Sequence, residues 1–121
     1  MSLSVCLVAM PWQALESPSL PIGLLRAACE AAGLPSPHAH HGSLRWAEYL
    51  LANTDGELGP VEYVDIAENG LFHGLGDWVF TGVLHDDPDF GVARLNSYAA
   101  KSGLDISTAT RMRALADGFV T

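Results

Sequence analysis

Three groups of residues have types and spacings that can do chemistry. The first is the loop Met10-Pro11-Trp12-Gln13-Ala14-Leu15-Glu16-Ser17-Pro18-Ser19-Leu20-Pro21-Ile22-Gly23. It follows an apolar run, Ser4 to Met10, and leads into a helical pattern. Ligands of wound α/β domains bind where such loops end strands, and helix N-termini favour phosphates and carboxylates. Prolines stiffen this loop, which lowers the entropy cost of holding a ligand. Trp12 offers a flat apolar contact, and Ser17 and Ser19 offer short hydrogen-bonding groups. Neither a G-x-G-x-x-G fingerprint nor a P-loop lysine is present. The same residues also suit a rigid connector whose serine only caps the helix.

The second group is His38, His40 and His41, in the segment Pro37-His38-Ala39-His40-His41-Gly42. Histidine-rich tracts can bind metal, but no H-E-x-x-H-like spacing on a helix accompanies this one. A solvated loop is the expectation. The third group is His73 and Asp77 around Gly74-Leu75-Gly76, with His85, Asp86, Asp87 and Asp89 shortly after. Together these can build a histidine–carboxylate metal site of hydrolase type. Alternatively, Asp77 and the Asp86-Asp87 pair are helix caps, for which their positions are right. No G-x-S-x-G elbow or Cys–His arrangement is present.

The elements that must position these residues follow from periodicity. Ser4 to Met10 reads as one fully buried strand, stopped by Pro11-Trp12. A helix runs from about Leu20 to Ala32, with Ser19 as N-cap, Pro21 in the first turn and Gly33 at its end. Its Leu20, Leu24, Ala27, Ala28 and Ala31 recur at helical spacing and are expected to pack on a sheet. Leu34 to Gly42 is a break. Ser43 is expected to cap a helix from Leu44 to about Ala52, and Pro60 to open another that ends at Asn69-Gly70. Asp77 is expected to cap a helix through Leu84. Asp86-Asp87-Pro88 is expected to start one reaching about Lys101. The last begins near Asp105, with Ile106, Ala109, Met112, Leu115, Ala116 and Phe119 on one side. Trp46, Tyr49, Phe72, Trp78 and Phe80 are expected in the core. No second convincing strand is apparent. A lone strand cannot satisfy its own backbone, so either it pairs with the same strand of a second copy, giving a homodimer, or it packs as an edge against helices.

Bulk properties bound the class. The 121 residues suit one domain, and 49% hydrophobic content suffices for a core. Fourteen acidic residues against six basic ones give a net charge of −8. That disfavours nucleic acid and anionic membranes as partners, since both reward clustered Lys and Arg. The apolar run at the start is too short for a signal peptide or membrane span. Cys6 and Cys29 match no zinc or iron–sulfur spacing and read as buried structural thiols, which fits a reducing cytoplasm.

The segments SVCLVAMPW and SPSLPIGLLRAACEAAG resemble the opening of the cobalamin-binding domain of cobalamin-dependent radical S-adenosylmethionine (SAM) enzymes. HHGSLRWAEYLL, GLFHGLGDWVF and LHDDPDF extend this likeness to the N-terminal region of ribosomal-peptide (RiPP) maturation radical SAM proteins, associated with C-methylation of precursor peptides. By this resemblance Pro11, Trp12, Gln13, Ser17, Pro18, Ser19, Leu20 and Gly23 occupy the loop and helix start that face cobalamin. No catalytic residue or metal ligand carries over. The C-x-x-x-C-x-x-C motif, the D-x-H-x-x-G motif and the remaining strands are absent from this sequence.

The expected fold is therefore an α/β fragment, predominantly helical. It has a first βα unit and loop of a truncated, Rossmann-like cobalamin-binding domain over residues 1–42 and a helical insert or cap over 43–121. The resemblance implies a partial cobalamin site. S-adenosylmethionine and a 4Fe-4S cluster belong to the rest of the enzyme, whose precursor peptide the cap would contact. Such a fragment would be inert alone. Two rivals stand beside it: a non-enzymatic helical module that binds a peptide or protein partner, and a small metal-dependent hydrolase on His73, Asp77, His85 and Asp87.

Overall fold

A computed structural model describes residues 4–121. The chain divides into two compact units, one reaching to Trp46 and the other running from Ala47 to Thr121. The described residues are predominantly helical, with one small sheet. No helix among them is long and apolar enough to cross a membrane.

The first unit holds β1 (Cys6–Ala9), α1 (Leu20–Ala31), β2 (His38–His41) and the beginning of α2 (Gly42–Ala52). β1 and β2 pair in parallel, with Cys6 opposite His38 and Ala9 opposite His41. This corrects the expectation of a lone strand. The histidine tract is not a solvated loop but the second strand of a β-α-β unit. Its pairing with β1 supplies the backbone partners that β1 lacks by itself, and that gain outweighs the weak strand preference of His and Ala.

α1 begins as expected. Ser19 is its N-cap and its hydroxyl accepts from the Ile22 N–H; Pro21 lies in the first turn. Its packing differs from expectation. Ile22 is its one buried residue, while Leu20 and Leu24 are 69% and 62% exposed. β1 is likewise only partly covered: Ala9 is buried, but Cys6 and Val8 are exposed. Cys29 is half-buried, so neither thiol is in a closed core. A two-stranded sheet is too narrow to cover the apolar stripe of its crossover helix.

The second unit holds the rest of α2, α3 (Pro60–Val64), α4 (Leu75–Leu84), α5 (Val92–Ser102) and α6 (Ser107–Val120). A π-helical stretch, Asp65–Asn69, continues α3, so the helix opened by Pro60 does end at Gly70. α4 and α6 form its main helix–helix contact. Val79, Ala109, Met112 and Ala116 are buried, and Tyr63 joins the core as an aromatic that the spacing did not single out. Among the aromatics expected inside, Trp46 is fully buried and Phe72 is 93% exposed.

Two expected caps are corrected. α4 starts at Leu75 after Gly74 in the left-handed conformation, so Asp77 lies in the first turn, not at the cap. α5 starts at Val92, not at Pro88. Residues 86–91 turn instead, because Asp86 takes a positive φ and the Asp87 carboxylate accepts from the Asp89 N–H. Arg113 of α6 holds that turn. It donates to the carbonyls of Trp78, Pro88 and Phe90 and to the Thr81 hydroxyl, and its guanidinium lies 4.5 Å from the Trp78 ring centre. Gly82 permits this approach, since a Cβ there would lie 3.1 Å from Arg113 Nη2. Desolvation lowers the Arg113 pKa, partly opposed by Asp87 and Asp89.

Replacing Arg113 with Met is expected to lose about 1–3 kcal/mol, because several carbonyls lose a charged donor together. Urea unfolding measures it, with faster amide exchange at residues 86–91 as the local signature. At the start of α6, the Ser107 N–H holds the Asp105 carboxyl below its ordinary pKa. A depressed carboxyl stabilises the fold above its unfolded pKa, and this is lost as pH falls through the folded one. The Asp105 carboxyl resonance should therefore titrate below the usual value of about 3.9, and amides of the first α6 turn should fray as it protonates.

Candidate functional site

The loop between β1 and α1 borders a cleft of about 370 Å³. It lies where the two parallel strands end: Ala9 from the end of β1 and His41 from the end of β2 both line it. Ser43 and Leu44 of α2 close another side. The floor is apolar, from Ala9, Ala14, Leu15 and Leu44. Gln13, Glu16, Ser17, Ser19 and His41 supply polar groups.

Ser43 fixes the loop. It is 4% exposed, and its hydroxyl donates to the Met10 carbonyl at 2.9 Å and accepts from the Gln13 N–H at 3.1 Å. It lies within α2, one residue past its start, so the expected N-cap role is replaced by a tie across the first unit. The tie requires β1 and α2 to approach closely. Gly42 makes that possible, because a Cβ there would lie 2.5 Å from the Ala9 carbonyl oxygen. Trp12 packs edge-to-face on Trp46 with ring centres 6.0 Å apart.

The expected cofactor-facing residues are divided by the fold. Gln13, Ser17, Pro18 and Ser19 line the cleft. Pro11 and Trp12 do not line it, and Trp12 packs on Trp46 instead. Leu20 is exposed on α1, and Gly23 has open space around its Cα. His41, Glu16 and Ser43 belong to the cleft but were not singled out for it. The only sequence signal for His41 was its place in a histidine tract next to Gly42.

The cleft can take a small polar group or the edge of a larger ligand. Its volume lies near the lower end of small-molecule pockets, about 300–1,000 Å³. A corrin with its nucleotide tail is much larger, so these residues fit only part of such a group. The hydrolase constellation is not assembled. His73 Nδ1 is 2.7 Å from the Tyr98 hydroxyl, His85 stacks on Phe90 with ring centres 3.8 Å apart, and Asp87 holds its own turn. Among the described residues, no three His, Cys, Asp or Glu group as metal ligands.

Compared with protein-family models, curated proteins and solved structures, the chain matches none of them.

Ser43→Ala removes the shared partner of the Met10 carbonyl and the Gln13 N–H at a part-buried place. It should cost about 1–3 kcal/mol in urea unfolding. Amide exchange should accelerate at Gln13, while the α4–α6 amides, in the other unit, stay unchanged.

Proposed function

We propose that this chain supplies part of a cobalamin site, as the N-terminal portion of a radical SAM enzyme that C-methylates a ribosomal precursor peptide in the cytoplasm. The observation that supports this reading most is the parallel β-α-β unit with a cleft at the carboxyl ends of its strands. Wound α/β domains take their ligands in that position. The exposed apolar residues of α1, Leu20, Leu24 and Leu25, add to it: they suit a helix that further strands of a Rossmann-like layer would cover.

When bound, a corrin would supply methyl-transfer chemistry through its cobalt. The chain's own residues would hold one edge of it. Gln13 and Ser17 would hydrogen-bond polar substituents, and Leu15 and Leu44 would exclude water from that edge. His41 stands in the same cleft as a further donor or acceptor. No residue here is assigned to bond making.

Titration with hydroxocobalamin tests this, using this chain and a version extended through its native reading frame. Corrin absorbance and tryptophan fluorescence report binding. The expected result is tight binding to the extended chain and weak binding at best to this one. Filling the cleft by Ser17→Trp should then abolish binding to the extended chain. Absence of binding to both would sink the reading.

A further inference from the structure

The geometry points to a docking groove in the second unit for a basic peptide segment of a partner protein, an arginine or lysine beside apolar residues. The inference does not rest on the cobalamin reading, since it uses none of the residues of that cleft.

The groove has a volume of about 580 Å³ and runs along α4, α6 and the turn at residues 86–88. Trp78, Val83, Pro88 and Ala114 give it apolar walls. Three carboxylates, Asp86, Asp87 and Asp117, line the same space. Arg113 also reaches it, but its guanidinium is committed to the carbonyls of Trp78, Pro88 and Phe90 and to Thr81. The Asp87 carboxylate is engaged by the Asp89 N–H. Asp86 and Asp117 are exposed, and among the described residues neither side chain has a hydrogen bond or ion pair. The groove therefore combines apolar walls with two uncommitted negative charges.

Its setting has the same sign. Twelve acidic and four basic residues lie from Ala47 to Thr121, against two of each before them. The whole net charge of −8 thus belongs to the second unit. A lysine or arginine side chain matches such a groove along its length. Its methylene stem covers apolar walls while its head stays at the wet, acidic rim. The surrounding field attracts a cationic segment and repels an acidic one. A second copy of this chain offers a poorer occupant, because its surface carries the same acidic surplus.

The probe is a hexapeptide carrying fluorescein on its N-terminal nitrogen, Ala-Leu-Arg-Ala-Leu-Lys-amide, with an equally labelled counterpart in which Glu replaces both basic residues. Fluorescence polarisation follows binding to the whole chain, and Trp78→Phe tests whether any tryptophan quench arises in the groove. The variant is the double substitution Asp86→Asn and Asp117→Asn. Asn tolerates the positive φ at residue 86, so the turn is kept; an unchanged thermal transition verifies it. The basic peptide should bind and the acidic one should not. The double variant should weaken binding about five- to tenfold, as two exposed ion pairs would, and should flatten its salt dependence. Equal binding of both peptides, no binding of the basic one, or unchanged binding to the double variant overturns the proposal. So does a dimer in sedimentation that excludes the peptide, which would make a second copy the occupant.

Discussion

Arg113 and Ser43 do the same physical work in the two units of this protein. Each ties an irregular segment of backbone to a neighbouring helix or strand. Arg113 gathers three carbonyls and a hydroxyl around the turn before α5. Ser43 joins the end of β1 to the loop that follows it. Unpaired backbone polar groups in poorly hydrated places are costly, so irregular segments persist only where side chains complete them. Both candidate sites are bounded by such segments, and their shapes depend on these two residues.

The sheet obeys the same constraint. β1 needs partners for its backbone, and the residues returning from α1 provide them although they are His-Ala-His-His. Pairing in parallel brings the ends of β1 and β2 side by side. The cleft with Gln13, Ser17, Ser19 and His41 is a result of that register. A one-residue slip would turn His41 to the other face of the sheet.

The two units differ in how they meet water. The first exposes leucines on α1 and has no net charge from its acidic and basic residues. The second carries the acidic surplus and buries a stripe of Ala109, Met112 and Ala116 against its own helices. Both expose large apolar side chains, Leu20 and Leu24 in the first and Val61, Phe72 and Leu84 in the second, so charge is what separates them, and it suits the second to steering cationic segments.

The helices after Ala52 were legible because apolar spacing near 3.6 residues survives in any packing arrangement. Pro60 and Gly70 bounded one helix, and Ala109, Met112 and Ala116 marked the buried side of another. The loop between β1 and α1 was also legible, from its prolines and its place between an apolar run and a helix. The strand at His38–His41 was not, because four residues without apolar alternation carry no local sign of parallel pairing. Nor were the fates of Asp77, Asp86 and Ser43. Each has the residue type of a cap, but Gly74 begins α4 ahead of Asp77, Asp86 turns with a positive φ, and the Ser43 hydroxyl bonds the distant Met10 carbonyl and Gln13 N–H instead. Local periodicity and turn chemistry thus determined which segments are helical. The tertiary structure decided which strand completes β1, which side chains hold the turns, and which polar groups share a cleft, because those depend on partners distant in sequence.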